Sequence, residues 1–289
     1  MWPVCAPCVE TMILGVARLV MDEERSVQEF MADVRRLPAL VDPRWPVRAP
    51  EVAEDAWRLL IARAGDPDPL RDVKRHQNEL AAQLSGPVRQ RVATADDPFA
   101  LAVKFAAAGN ILDAMVDVTR GPGDDFIETV AALPGDPERV QEFRRRVTEA
   151  RRIVYLTDNC GEIVFDRLLL EVIRTFCDPQ VTVVVRSLPT LNDATLVEAR
   201  EVGLHEVADV VENGIDTPLP ATSLARVSPQ VRALIDQADL VVSKGGANYE
   251  FLEDEGSLEG KTTFVLFGKC DPLCGAHHVA RGDLILLNA

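Results

Sequence analysis

The second half of the sequence alternates between short apolar runs and amphipathic stretches, and this pattern begins at Arg152. The short runs are rich in β-branched residues and have the length of buried strands, whereas the stretches between them have helical periodicity. Such alternation is typical of a parallel sheet covered by helices. We predict strands at residues 152–157, 181–186, 206–211, 240–243, 262–267 and 284–287. The sequence therefore favours an α/β fold over residues 151–289.

The first half of the sequence, residues 1–150, has no convincing strand pattern. Apolar residues recur there with the period of a helix at residues 11–21, 52–64, 73–84 and 99–108, and turn signals separate these stretches. Residues 137–151 are predicted to form a charged helix, because Asp136 is a good N-cap and Pro137 suits the first helical position. We interpret residues 1–150 as a helical bundle region that precedes the sheet domain.

Charge and hydropathy limit the partners that this chain can have. The formal net charge of −15 disfavours a nucleic-acid partner, because such binding relies on Lys and Arg to neutralise phosphates. No segment reaches the roughly 18 apolar residues of a membrane-spanning helix, so we expect no membrane partner. The apolar run after Glu10 lacks the basic residues of a secretion signal, and six cysteines are too few for a disulfide scaffold. We predict a cytoplasmic protein; the sequence does not indicate its oligomeric state.

Polar residues follow the first two predicted strands at the point where each strand ends. Asp158 and Asn159 come after the first strand, and Asn192 and Asp193 follow the second. Ligands of open α/β sheets bind outside the carboxyl ends of the strands, so these side chains are expected around one point. Their oxygens suit Mg²⁺ or Mn²⁺. The alternative is that each pair only caps a helix, as Asp and Asn commonly do.

Two further places combine polar residues with apolar surroundings. Lys244 directly follows a predicted buried strand, and the two glycines after it would let backbone amides approach a phosphate. The alternative for this motif is a surface turn. In the helical half, Asn110 and Asp113 share a helix face at i, i+3. They either cap a helix or lie over the crevice, and their spacing alone favours capping.

Five motifs occur in order along nearly the whole chain. They are Cys5-x-x-Cys8, Gly109-Asn110-x-x-Asp113, Asp158-Asn159-x-Gly161-Glu162, Asn192-Asp193-x-Thr195 and Lys244-Gly245-x-Ala247-Asn248-Tyr249-Glu250. Together they resemble the ARMT-type damage-control phosphatase family, and the two-cysteine start is most similar to its prokaryotic branch. The resemblance implies a Rossmann-like parallel sheet domain with an N-terminal helical region. It also implies a metal-dependent phosphatase that hydrolyses a small phosphorylated metabolite.

The resemblance also implies roles for particular residues. Asp158, Asn159 and Asp193 would bind a divalent metal (Mg, Mn, Co or Ni), and Lys244 would grip the phosphate. Asp158, Asp193 and Lys244 are the predicted catalytic residues, with Asp193 as the first candidate for the general base. The predicted substrate or phosphate contacts are Asn110, Asp113, Gly161, Glu162, Asn192, Lys244, Asn248 and Glu250. We expect direct attack by water rather than an aspartyl-phosphate on Asp158, because that carboxylate already binds the metal.

Some features depart from the family pattern or allow another function. Cys160 stands where the family often has Ala, and Gly246 where a larger polar residue is usual. Cys5-x-x-Cys8 and Cys270-x3-Cys274 together offer four thiolates for zinc, but their spacing and flanking sequence favour buried or partly reactive thiols. No dinucleotide or P-loop motif follows any predicted strand. The alternative functions are a non-catalytic binding module for a nucleotide or phosphorylated metabolite, and another metal enzyme such as a transferase.

Overall fold

A six-stranded sheet forms the centre of the protein, whose computed structural model describes residues 5–42, 47–109 and 125–289. The strands are β1 (Arg152–Leu156), β2 (Gln180–Val185), β3 (Asp209–Glu212), β4 (Leu240–Lys244), β5 (Thr262–Phe267) and β6 (Leu284–Asn288). Their order in the sheet is β3-β2-β1-β4-β5-β6. All neighbours are parallel except β6, which runs antiparallel to β5. The α/β fold with a Rossmann-like sheet is thereby confirmed.

The helices of the described residues fall into two groups. Before β1 they are α1 (Cys5–Val20), α2 (Glu24–Val34), α3 (Pro38–Val41), α4 (Ala49–Ala64), α5 (Arg71–Ala93), α6 (Pro98–Ala108), α7 (Phe126–Ala132) and α8 (Pro137–Glu149). After β1 they are α9 (Glu162–Ile173), α10 (Leu196–Glu201), α11 (Pro229–Gln237), α12 (Gly246–Leu252) and α13 (Asp271–His277). None of the helices in these ranges is long and apolar enough to cross a membrane.

Several predicted elements have different bounds in the structure, and two of these differences have a clear structural cause. The strand predicted at 206–211 begins only at Asp209, because a short 3₁₀ helix, Leu204–Glu206, precedes it. The helix predicted at 73–84 extends to Ala93 and contains Pro87. Proline removes a backbone donor from a helix interior, but Val88 and Val92 after it are buried in the main core, and this burial offsets the lost bond.

The sheet is covered on both faces, and the helical half divides between two cores. One face packs against α5, α6, α8 and α9, with Tyr155 of β1 in the same cluster as Phe105 and Phe165. The opposite face packs against α11 and α12. Helices α1, α2 and α4 form a third cluster around Trp57. Part of the helical half therefore shares its core with the sheet. The domain boundary near residue 150 stays a prediction.

The third cluster lies next to the loop between β2 and α10. Leu191 of this loop is buried in the cluster, and the Trp57 indole Nε1 donates a hydrogen bond to the Pro189 carbonyl at 3.0 Å. The loop also carries Asn192 and Asp193. Helices α1 and α4 are therefore held beside the carboxyl end of the sheet, at the place where the strand order reverses between β1 and β4.

We expect the Phe165→Ala substitution to lower the free energy of unfolding by about 3–5 kcal/mol, because it leaves a cavity between α6 and α9. Phe165 is fully buried, and its ring centroid lies 6.0 Å from that of Phe105 and 6.1 Å from that of Phe126. Urea denaturation measures the change. Val197→Ala, at a side chain that is 60% exposed, is the control and is expected to change stability by less than about 0.5 kcal/mol. A loss below about 1 kcal/mol for Phe165→Ala would contradict this account of the core.

Candidate active site at the strand-order reversal

The loops after β1 and β2 are joined by backbone hydrogen bonds. The Cys160 amide donates to the Asn192 carbonyl at 2.9 Å, and the Ala194 amide donates to the Asp158 carbonyl at 3.0 Å. Asn159 and Asp193 face each other in an antiparallel bridge between the two loops. The predicted metal ligands Asp158, Asn159 and Asp193 are therefore brought together, as the sequence indicated.

Arg186, the residue after β2, lies between the two aspartates. It is 3% exposed, its Nε donates to Asp193 Oδ2 at 2.6 Å, and its Nη2 lies 3.6 Å from Asp158 Oδ1. Its Nη1 donates to Thr222 Oγ1 and to Asn248 Oδ1, both at 3.1 Å. Burial and the neighbouring charge of Asp193 still raise the pKa of Asp158 well above its ordinary value. Arg186 thus does not restore an ordinary pKa to Asp158.

Gly245 sits directly against the carboxylate of Asp158. Its φ is +81°, a conformation that residues with a side chain rarely adopt. A Cβ added here would lie 2.1 Å from Asp158 Oδ2, far inside van der Waals contact. At Gly246, by contrast, an added Cβ would meet nothing within 4 Å. The end of β4 therefore needs glycine at position 245 so that the chain can pass beside the carboxylate.

Lys244 is fully buried on the side of the sheet that faces α6 and α9. Its ammonium donates to the Ala106 carbonyl at 2.7 Å, to Asp166 Oδ1 at 2.8 Å and to Glu162 Oε1. The Tyr155 hydroxyl donates to the same Asp166 oxygen at 2.7 Å. Burial alone would lower the pKa of Lys244, but Asp166 and Glu162 hold it above its ordinary value. Burial also raises the pKa of Glu162 to about 7, although Lys244 opposes this shift.

A cavity of about 260 Å³ opens over the joined loops. Its lining includes Asp158, Asn159, Asn192 and Asp193 on the sheet side and Glu250 of α12. Helices α1 and α4 supply the opposite wall, which is made of Cys8, Val9, Met12, Ala49, Pro50 and Ala53. The site therefore faces a small chamber with oxygen-bearing side chains on one side and mainly apolar ones on the other.

The other predicted site residues have different surroundings, and not all of them line this cavity. Glu250 lines it, and its Oε2 accepts a hydrogen bond from the Ala49 amide at 3.2 Å. The Gly161 amide, predicted to face an anion, donates instead to Asn78 Oδ1 at 2.6 Å. Asn248 is fully buried and accepts hydrogen bonds from Arg186 and from the Thr222 amide. Asn110 and Asp113 lie outside the described residues.

The substrate contacts predicted for Lys244 and Asn248 stay predictions. In the structure the Lys244 ammonium has three acceptors within the protein, and neither residue is part of the described cavity lining. Asn248 also donates to the Thr157 carbonyl at 3.0 Å and to the Lys244 carbonyl at 2.8 Å. Both side chains therefore hold neighbouring elements together in this conformation.

Sequence reasoning missed three residues that shape the site. Arg186 is the last residue of the predicted strand 181–186, so the rule that selected Asp158 passes over it; the observed β2 ends one residue earlier, at Val185. Asp166 lies one helical turn after Glu162 on α9, and that spacing is its only sequence signal. Asn78 of α5 contacts the loop from 83 positions away in the sequence, so no local pattern indicates it.

The donor set fits a hard divalent cation. Within the described ranges no group of three His, Cys, Asp or Glu side chains is arranged to hold a metal. Asp158 and Asp193 nevertheless offer two carboxylates and Asn159 an amide, and oxygen ligands of this kind suit Mg²⁺ or Mn²⁺. The raised pKa of Asp158 indicates that further positive charge would stabilise this pair.

Comparison with known proteins decides the family. The profile described as the damage-control phosphatase ARMT1-like domain matches residues 1–285. The chain belongs to this family. The resemblance drawn from the five sequence motifs is confirmed, and membership supports a phosphatase with a damage-control role.

Individual relatives agree with this family over most of the chain. A damage-control phosphatase of Archaeoglobus fulgidus is 31% identical over 285 residues, which cover 98% of this chain and 97% of the relative. A damage-control phosphatase of Pyrococcus horikoshii is 28% identical and covers 77% and 75%. The crystal structure of a DUF89 family protein from Pyrococcus horikoshii superposes with a TM-score of 0.85 at 24% identity, over 98% of this chain and 97% of that one. This last similarity shows that the fold is shared.

Gly245→Ala is expected to displace the Asp158 carboxylate and to reduce phosphatase activity at least about tenfold. It should also lower the free energy of unfolding by about 1–3 kcal/mol, because alanine is strained at a positive φ. Kinetics and urea denaturation measure the two effects. Gly246→Ala is the matched control on the next residue and should keep the wild-type stability, since its added methyl group meets no atom within 4 Å. Equal stability of both variants would contradict the close approach at Gly245.

The raised pKa of Glu162 predicts a pH dependence of stability in metal-free buffer. A folded-state pKa of about 7 against an ordinary value of 4.5 means that the folded protein binds the proton more tightly. The stabilisation is fully present below pH 4.5 and is lost as the pH rises through about 7. Between pH 5 and 8 the wild type should lose on the order of 1–3 kcal/mol relative to Glu162→Gln. Urea denaturation at both pH values checks this, and a relative gain with rising pH would show the opposite sign.

Proposed function

We propose that the protein is a divalent-metal-dependent phosphatase that hydrolyses a phosphomonoester of a small metabolite. The observation that carries this proposal is the buried pair Asp158 and Asp193, which lie on two loops joined by backbone hydrogen bonds and are open to one cavity. Acidic side chains that are 7% and 3% exposed are costly without a cation, and the charge of Arg186 is not enough to restore an ordinary pKa to Asp158. Membership in a phosphatase family agrees with a role in phosphate chemistry.

Asp158, Asn159 and Asp193 are the residues that would hold the metal. When bound, a divalent cation polarises the phosphoryl oxygens and makes a water molecule more acidic. The three side chains lie on loops whose spacing is fixed by main-chain hydrogen bonds, so they need little rearrangement to bind. Carboxylate and amide oxygens suit Mg²⁺, Mn²⁺, Co²⁺ and Ni²⁺ alike, and the proposal extends to any of these ions.

Arg186 is a buried cation that lies against both Asp158 and Asp193, and it would stabilise the phosphoryl group from behind these two carboxylates. Its Nη2 is buried, donates no hydrogen bond to a described residue and lies 3.6 Å from Asp158 Oδ1. Its other nitrogens are fixed by Asp193, Thr222 and Asn248, which orient the guanidinium before a ligand arrives. A planar guanidinium with a fixed donor stabilises the charge that develops on phosphoryl oxygens. Lys244 would contribute without contacting the phosphoryl group, because its ammonium binds the carboxylates of Glu162 and Asp166.

Asp193 is the carboxylate that we propose as the base for the attacking water. It lines the cavity, and the Arg186 Nε bond at 2.6 Å fixes the direction of its carboxylate. A water molecule activated here would attack phosphorus directly, without an aspartyl-phosphate. The proton of the water would pass to Asp193, and the alkoxide leaving group would take up a proton from solvent as the ester P–O bond breaks. Asp193 would then release its own proton to solvent, which restores the base for the next turnover.

The size of the cavity supports a small substrate. A volume of about 260 Å³ is close to the lower end of the range for small-molecule pockets, which agrees with a small phosphorylated metabolite. The wall formed by α1 and α4 would contact the organic part of the ester, while the loops after β1 and β2 would contact the phosphate. Specificity for one ester over another would then arise from residues such as Val9, Met12 and Ala53.

Hydrolysis of p-nitrophenyl phosphate and of a panel of metabolite phosphates tests this function. We expect turnover only with added Mg²⁺, Mn²⁺, Co²⁺ or Ni²⁺, and a loss of at least about 10³-fold in Asp158→Asn, which keeps the shape but removes the charge. Glu10→Gln, at a residue of α1 that is not in the cavity lining, is the matched control for loss of one acidic charge. Tight binding of phosphorylated compounds without turnover under any metal would instead favour the non-catalytic binding module.

A further inference from the structure

Helix α5 presents three polar side chains to the loops that carry the predicted metal ligands. Lys74, Gln77 and Asn78 lie at positions i, i+3 and i+4, so they share one face of the helix. Their exposed fractions are 0%, 1% and 5%. Burial of a lysine and two amides is unfavourable unless partners compensate it. The partners of this face therefore show what it contributes.

Asn78 contacts the loop after β1, and Gln77 contacts the loop after β2. The Gly161 amide donates to Asn78 Oδ1 at 2.6 Å, and the Asn192 side-chain amide donates to Gln77 Oε1 at 3.4 Å. Gly161 also has a φ of +79°, and a Cβ added there would lie 3.3 Å from the Gln77 carbonyl oxygen. One helix thus contacts both loops, through side-chain atoms and through its backbone.

Lys74 reaches the loop after β2 through Glu198 of α10. Its Nζ lies 2.8 Å from Glu198 Oε1 and 2.9 Å from Asp68 Oδ2. The other carboxylate oxygen of Glu198 accepts hydrogen bonds from the Thr195 amide at 2.9 Å and from the Thr195 hydroxyl at 2.5 Å. Thr195 comes two residues after Asp193. The Lys74 ammonium therefore orients the carboxylate that fixes the chain next to Asp193.

Mutual compensation keeps this buried pair charged. Burial alone would raise the pKa of Glu198, but Lys74 and Thr195 hold it below its ordinary value. Burial alone would lower the pKa of Lys74, but Glu198 and Asp68 hold it above its ordinary value. A buried ion pair often stabilises a fold no more than well-packed apolar residues do. The described cavity lining includes none of the three α5 side chains, so they act on the site through the loops.

We propose that Lys74, Gln77 and Asn78 are positioning residues that hold the loops after β1 and β2 in the arrangement that a divalent cation requires. This inference rests on the proposed function, in which the cation binds Asp158 and Asp193. Backbone bonds join the two loops to each other, and α5 fixes both of them to the helical half. Without these contacts the carboxylates would spend less time in the binding arrangement, and the apparent affinity for the cation would fall by that fraction.

Hydrogen exchange of the metal-free full chain tests the loop contacts directly. Peptides that contain the Cys160 and Ala194 amides should exchange at least about fivefold faster in Lys74→Met and in Asn78→Leu than in the wild type, because these amides form the bonds between the loops. Phe143→Leu, in the ring pair of α6 and α8, is the control for a loss of stability that does not begin at the loops. If the α5 variants exchange at the two loops no faster than Phe143→Leu, the proposal is wrong.

Titration with Mn²⁺, followed by electron paramagnetic resonance, tests the consequence for the site. The dissociation constant should rise at least about fivefold in Lys74→Met. Lys104→Met removes an ammonium that donates to the Ala131 carbonyl, and this control should stay within about twofold of the wild type. The double variant Lys74→Met/Glu198→Gln should recover most of the affinity, because its one amide oxygen is then free to accept from Thr195. A merely structural role of Lys74 would lower stability and leave the affinity of the folded protein unchanged.

The two measurements distinguish a failure of this inference from a failure of the proposed function. A wild type that binds Mn²⁺ no more tightly than Lys74→Met would overturn the positioning role alone. A wild type that binds no divalent cation would contradict the proposed function and the metal-binding part of this inference. The exchange result would still decide whether α5 holds the loops.

Discussion

Compensation of buried charge is the constraint on which the rest of this structure depends. Among the described residues at the carboxyl end of the sheet, Asp158, Asp193, Glu162 and Asp166 are almost fully buried. The cations Arg186 and Lys244 are equally buried and lie between them in two separate groups. Isolated charges in such surroundings would cost far more than a protein's net stability, so the fold is possible only with these pairings in place. The pairs connect β1, β2 and β4 to α9, and through the Ala106 carbonyl to α6.

The fold class could be predicted because the sheet depends on a pattern that is local in sequence. Each central strand is a short run of β-branched residues buried on both faces, and the helix between two such runs has its own apolar face. The antiparallel direction of β6 could not be predicted, because it depends on the path of the chain after α13. Helix α2 was also missed, although Val27, Phe30, Met31 and Val34 have helical spacing, since its charged residues reduce the overall hydropathy.

The grouping of side chains at the strand ends could be predicted because polar residues in these positions are visible in the sequence. Asp158, Asn159 and Asp193 are brought together as expected. The sequence could not show which face of the sheet a side chain occupies when a strand is buried on both faces, and this is why the buried surroundings of Lys244 were not predicted. Asn248 belongs to a motif that is typical of ligand binding, but its side-chain amide forms hydrogen bonds with Thr157, Thr222 and Arg186. Whether such a side chain binds a ligand or another part of the protein depends on contacts between residues that are far apart in the sequence.

The backbone bonds between the loops after β1 and β2 have a consequence for ion selectivity. The amides of Cys160 and Ala194 fix the distance between the two ligand-bearing segments before any ligand arrives. Most of the conformational entropy of these two segments is therefore lost during folding and not during binding of the cation that we propose. Ligands that cannot move apart cannot adjust to ionic radius either. Divalent cations would then be distinguished by how well their radius fits this fixed spacing, as well as by how readily they give up water.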